Sequence, residues 1–101
     1  MKEIKYIAER IREELEDAEG YVKHALKYKE LDREMSQTLA ELSKQELAHS
    51  ESLHHQAVRL IRKQKDSGVT PPAAMQAVWD WEHELMIEKT MHIKALLDAL
   101  R

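Results

Sequence analysis

The chain has few residues that break helices and none that form disulfide bonds. Its 101 residues include two glycines, two prolines, and neither cysteine nor phenylalanine. Without cysteine the chain can form no disulfide and no thiolate metal site, so any metal must bind through oxygen and imidazole ligands. A composition poor in Gly and Pro and rich in Glu, Lys, Ala and Leu favours helices. The sequence therefore predicts an all-α fold.

Long apolar runs and an excess of basic charge are also missing. No stretch approaches the ~20 apolar residues of a membrane span, and the first residues contain no apolar signal core. We therefore expect a cytoplasmic protein without a membrane partner. The net charge is −3 with acidic and basic residues interspersed, which argues against nucleic-acid binding. The most basic run, Arg59–Lys65, is interpreted as a solvated helix face.

Apolar residues recur at spacings of three and four along most of the chain. This pattern predicts one domain, residues 1–101, with helices at about residues 2–30, 33–66 and 71–100. Both connections are short, so successive helices are expected to be antiparallel. The third helix has an apolar surface wider than one stripe, part of which we expect to pack on another subunit. The chain is therefore predicted to be a homodimer or a higher homo-oligomer.

The expected breaks carry residues suited to helix ends. Asp32 is a good N-cap for the second helix, and Gly68 suits the position just after its last turn. Thr70 suits the N-cap of the third helix, with Pro71 at its first helical position. These assignments fix the helices closely enough to compare their heights along the bundle.

The informative residues are charged side chains within apolar stripes, because a buried charge is costly unless it is paired or binds an ion. Glu46 falls in the middle of the predicted stripe of the second helix, which consists of Met35, Leu39, Leu42, Leu53, Ala57 and Leu60. His49 lies three residues later at the edge of that stripe, so both side chains can bind one ion. In the first helix, Glu14 lies between the apolar Ile11 and Ala18.

Heights along the bundle extend this candidate site. If the first connection centres near residue 32, Glu14 is level with His49, and Asp17 is level with Glu46. The third helix offers two alternatives, which the sequence leaves open. Glu88 and His92 lie at the right height, whereas Glu82 lies closer to the centre of the apolar arc. The other histidines, at positions 24, 54, 55 and 83, are interpreted as surface residues.

These residues suggest a family. The run Glu14-x6-Tyr21, followed by Glu46-x-x-His49, resembles the ferritin-like superfamily, and residues 10–60 look like the first two helices of rubrerythrin-type proteins. The segment Trp81-Glu82-His83 is similar to part of a rubrerythrin third helix, although the long crossover that precedes that helix in the family is missing. The sequence as a whole also resembles small bacterial prophage proteins that have no clear family function.

The resemblance implies a di-iron or di-manganese site of four Glu and two His residues. This chain has one Glu-x-x-His on an apolar face, so it looks like half of such a bundle. Encapsulated ferritins are similar short chains that complete their site across a dimer. Two copies of this chain would supply Glu14, Glu46 and His49 twice. Zinc also suits oxygen and imidazole ligands.

Two other functions fit the same sequence. The chain can be a metal-free structural or adaptor bundle, in which Glu46 and His49 form an ion pair. It can also be a binding module that uses the apolar face of the third helix. No motif places a nucleophile or a phosphate-binding loop, so the sequence identifies no substrate and leaves open whether the protein is an enzyme.

Overall fold

A computed structural model of the protein describes residues 2–101, so Met1 of the predicted domain lies outside the described residues. The described part contains no strand and has three helices: α1, Lys2–Tyr28; α2, Arg33–Asp66; and α3, Ala73–Asp98. The all-α prediction is confirmed. The molecule is a rod of 56 × 18 × 18 Å. Compared with the bounds predicted from the apolar periodicity, α1 ends two residues earlier, and α3 is two residues shorter at each end.

The connection between α1 and α2 and the end of α2 follow the expected capping chemistry. The Asp32 side chain accepts a hydrogen bond from the Met35 backbone N–H at 3.1 Å, so its N-cap role is confirmed. Gly68 follows the C-cap of α2 with a φ of +84°, a left-handed conformation that glycine adopts without a steric cost. Its N–H reaches the Lys65 carbonyl, and the Val69 N–H reaches the Gln64 carbonyl. This pair of bonds is the Schellman arrangement that closes a helix.

The start of α3 differs from the prediction. The helix begins at Ala73 with Pro72 at the N-cap and no side-chain capping bond, so the assignment of Thr70 to the N-cap was wrong. The reason is the second proline. A residue before proline is disfavoured in the helical region, so Pro71, which precedes Pro72, cannot be the first helical residue. The first turn therefore begins after Pro72, at Ala73.

Small side chains form the contact between α1 and α2. Ala18, Ala25 and Ser43 are completely buried. The Ser43 hydroxyl donates to the Ala18 carbonyl and the Ser36 hydroxyl donates to the Ala25 carbonyl, each at 2.7 Å. A serine can reach a backbone carbonyl of the neighbouring helix only where the two backbones come close, so this seam fixes the register of α1 against α2.

The serine seam changes the orientation expected for α2. Its buried residues are Ser36, Ser43, Leu47 and Ser50, whereas the stripe predicted to form its core is only half-buried, and Met35 is 44% exposed. The prediction failed because it rested on the apolar residues alone, whereas a serine hydroxyl bonded to a carbonyl can be buried at little cost. The apolar stripe that contains Glu46 therefore lies beside the seam and remains partly open to solvent.

The third helix packs mainly against α1 and contributes little to the core. The buried core consists of Ile11, Leu15, Ala18, Val22, Leu47 and Ile93, and Ile93 is the one buried residue of α3. Side-chain pairs join Arg12 to Glu82 and Glu19 to Lys89. Several large apolar residues on α3 stay exposed, including Val78, Trp81 and Met91. The structure thus leaves much of the broad apolar surface of α3 uncovered.

The apolar residues of the helices are too widely interrupted by charge for a membrane span. Across residues 2–101, no helix offers a segment long and apolar enough to cross a bilayer. In α3, which has the most apolar residues on its surface, Asp80, Glu82, Glu84 and Glu88 recur at short intervals.

Candidate metal centre

Three residues predicted to bind metal lie together on one side of the α1–α2 pair. Glu14, Glu46 and His49 each offer one ligand atom, and these atoms lie within 4.8 Å of one another. The His49 Nδ1 atom is 3.5 Å from a Glu14 carboxylate oxygen and 3.8 Å from a Glu46 oxygen. Two carboxylates and an imidazole from two helices therefore face a common point, as the predicted heights of Glu14 and His49 required.

The two separations between His49 and the carboxylates suit a shared ion better than direct hydrogen bonds. A charge-assisted hydrogen bond between nitrogen and oxygen is about 2.7–2.9 Å long, shorter than either contact of His49. Ligand atoms bound at 2.0–2.2 Å to one ion lie about 3–4 Å apart. Both measured separations fall in that range. The three residues present are therefore a fitting, though partial, ligand set for a divalent cation.

Glu14 is the anchor of the group because it is the most buried of the three. The residue is 8% exposed, and its other carboxylate oxygen accepts a bond of 2.9 Å from Arg10, one helical turn earlier. The same guanidinium also bonds Glu13. A buried carboxylate needs such a partner, since desolvation of an unpaired charge is expensive. Glu14 is thus held in place by α1 itself while one oxygen remains directed at His49.

Glu46 and His49 reach the group from one face of α2. They are three residues apart, so their side chains leave the helix on the same side. Glu46 is half-buried and the His49 side chain is 61% exposed. The imidazole therefore lies at the solvent edge of the group, where an ion, water or another molecule can approach it directly.

The structure does not bring the remaining predicted ligands into this group. Asp17 and Glu88 are exposed. His92 lies 3.9 Å from Glu19 instead, and Glu82 bonds Arg12 at 2.7 Å. At 3.6 residues per turn, Arg12 and Glu19 lie about 160° and 140° around α1 from Glu14. Because α3 packs on that opposite side of α1, a residue of α3 at the same height as Glu14 still lies across α1 from it. This applies to Glu88, His92 and Glu82.

Two histidines interpreted as surface residues form a contact that the sequence did not reveal. The rings of His54 on α2 and His83 on α3 stack with centroids 5.0 Å apart and planes 7° apart. His54 is half-buried, which corrects its assignment to the surface. Burial first, and then the charges of His83 and His55, lower the pKa of His54 from its usual value of 6.5. The stacked imidazoles of His54 and His83 thus contribute to the contact between α2 and α3.

The lowered pKa of His54 predicts an acid-sensitive contribution to stability. The unfolded chain takes up the His54 proton at a higher pH than the folded chain does. The contribution of His54 to the free energy of unfolding is therefore constant above about pH 6.5 and is lost as the pH falls through the folded-state pKa. We expect the difference in Tm between pH 7.5 and pH 5.5 to shrink in His54→Gln, measured by thermal melts. His24→Gln, at an exposed position of α1, is the control. An unchanged difference in His54→Gln would contradict the prediction.

Comparisons with known proteins assign no identity to the chain. No family model, no curated protein and no solved structure matches it. The chemistry of the Glu14, Glu46 and His49 group is therefore the basis on which a function has to be argued.

Proposed function

We propose that this protein is a metal-binding, ferritin-like helical protein of the cytoplasm, whose Glu14, Glu46 and His49 hold iron or manganese. The spacing within the group carries the proposal, since His49 Nδ1 lies 3.5 and 3.8 Å from the two carboxylates. Those distances fit ligands around one ion. Two carboxylates and an imidazole favour iron or manganese and also accept zinc.

In this proposal the site is completed by a second copy of the chain. One copy offers three donors, fewer than the four to six that such cations require. Two copies offer four carboxylates and two imidazoles, the ligand set of a di-metal carboxylate centre. The half-buried apolar stripe of α2, which includes Leu39, Leu42 and Leu53, surrounds Glu46 and gives the second copy an apolar surface to cover.

We also infer an antiparallel arrangement of successive helices. Partners in α1 fall earlier in the chain as α2 proceeds, since Ser36 bonds Ala25 and Ser43 bonds Ala18. Partners in α3 fall later as α1 proceeds, from the pair Arg12–Glu82 to the bond between Lys29 and the Ala99 carbonyl. With α2 opposed to α1 and α3, the face of α1 and α2 that carries the group is the face that α3 leaves free.

The test is metal content and molar mass on the same sample. We expect about one iron or manganese ion per chain after expression with added metal, and a molar mass twice the 11.9 kDa of the chain. Chelation should lower the Tm, because a ligand that binds the folded state stabilises it. The proposal would be refuted by less than about a tenth of an ion per chain together with a Tm that the chelator does not change.

A metal-free bundle is the alternative, and one contact favours it. Arg10 already neutralises Glu14 at 2.9 Å, and His49 lies 3.8 Å from Glu46 without any metal. Under this alternative, the purified protein holds little metal and its melting does not respond to a chelator.

A further inference from the structure

We infer that Arg10 is a built-in counterion that competes with the metal ion for Glu14 and sets the affinity of the site. This inference rests on the proposed function and concerns its regulation. The guanidinium lies one turn before Glu14 and is not a ligand, because it has donors only. It bonds the carboxylate oxygen that does not face His49. Cation and guanidinium therefore share one carboxylate.

The competition follows from the two carboxylates that Arg10 contacts. Its Nη2 atom holds a Glu14 oxygen at 2.9 Å, and its Nη1 atom bonds the exposed Glu13. A bound guanidinium lowers the negative charge that Glu14 offers to a cation, and it blocks the oxygen needed for bidentate or bridging coordination. Glu13 supplies a second partner outside the group. Arg10 can therefore leave Glu14 when a metal ion binds and still keep an ion pair.

The charge of the competitor is fixed. The guanidinium of an arginine is always charged in proteins, so Arg10 opposes cation binding throughout. Without metal it also offsets the cost of the buried Glu14 charge. A cation that occupies the group therefore has to overcome repulsion from this positive charge next to Glu14.

The experiment measures Mn²⁺ affinity by titration calorimetry at neutral pH and 0.15 M salt. We expect Arg10→Gln to bind Mn²⁺ roughly three- to tenfold more tightly than the parent protein, because a nearby positive charge is removed and a carboxylate oxygen is freed. Arg10→Lys keeps the charge and should bind like the parent. Arg12→Gln removes the same charge from the opposite side of α1, where Arg12 bonds Glu82, and should leave the affinity unchanged. Arg10→Met, which keeps an apolar stem, replaces the glutamine variant if that variant does not fold.

The outcomes separate this inference from the proposal beneath it. If the parent binds Mn²⁺ and Arg10→Gln binds it equally or less tightly, Arg10 is no competitor and the inference fails while the metal site stands. An equal gain in Arg12→Gln would also overturn the inference, since net charge alone would then explain the effect. If neither the parent nor Arg10→Gln binds Mn²⁺, the metal site and the inference both fail. Binding by Arg10→Gln alone would contradict the proposed function, because the parent protein would hold no metal, and it would overturn the inference that Arg10 tunes an occupied site.

Discussion

Replacing Glu46 and His49 together by glutamine is expected to weaken metal binding by roughly 100-fold or more. Loss of a residue that only supports a ligand costs about 10–100-fold in affinity, and this variant removes two of the three candidate donors of each chain. Glutamine keeps a similar size and hydrogen-bonding capacity, so the fold should survive. Calorimetric titration with Mn²⁺ or Fe²⁺ measures the loss, and circular dichroism checks the helices.

The same helix supplies a matched control. Glu51 and His54 repeat the spacing of Glu46 and His49, but Glu51 pairs with Lys94 and His54 stacks on His83. Their double replacement by glutamine should leave metal affinity at the parent level. If both double variants bind equally well, the metal lies elsewhere and the ligand assignment is wrong. If both lose binding, the effect comes from altered charge or folding rather than from the Glu46 and His49 side chains.

Replacing Ile93 by alanine is expected to lower the free energy of unfolding by about 2–5 kcal/mol, the usual cost of truncating a buried isoleucine. Ile93 is 0% exposed and is the one buried residue of α3. Its side chain therefore carries much of the attachment of α3 to the core. Both tryptophans, Trp79 and Trp81, also lie on α3, so their fluorescence reports directly on whether that helix stays docked during urea unfolding.

Ile87→Ala is the control for this prediction. Ile87 lies in the same helix but is 43% exposed, so its truncation leaves no closed cavity and should change stability by less than about 1 kcal/mol. Because α3 contributes no donor to the Glu14 group, Ile93→Ala should retain metal binding under conditions where it is folded. Equal destabilisation by the two replacements would mean that α3 is not anchored through Ile93.

The candidate site could be found in the sequence because helical geometry relates spacing to direction. Three residues separate Glu46 from His49 and place them on one face. Glu14 interrupts an apolar stripe, and the short turn at Asp32 determines which residues of α1 and α2 share a height. The separation of 3.5 Å between the Glu14 carboxylate and His49 Nδ1 agrees with that height. These relations depend on neighbouring helices joined by a tight turn, where errors in register stay small.

The contribution of α3 could not be predicted in the same way. Height alone favoured Glu88 and His92, but the side of α1 on which α3 packs decides which residues meet. Sequence periodicity does not predict which face of α3 packs on α1, because α3 is apolar over much of its circumference and can pack through several faces. The packing that brings Glu82 to Arg12 and His92 to Glu19 leaves Glu14 on the other side.

The orientation of α2 depended on hydroxyl groups rather than on apolar residues. Ser36 and Ser43 are buried because each donates to a carbonyl of α1, and the stripe that includes Met35 turns towards solvent. A sequence pattern gives the same weight to a solvated serine and to a serine bonded across a helix seam. Only the close approach of Ala18 and Ala25 distinguishes the two.

The sequence by itself determined the helical fold, the caps at Asp32 and Gly68, and the shared height of Glu14, Glu46 and His49, since each follows from local conformational preferences and regular helix geometry. The tertiary structure alone decided that serines line the α1–α2 seam and that α3 packs away from the Glu14 group. These features depend on which surfaces fit closely together. That fit is a property of the packed helices, and no single helix encodes it.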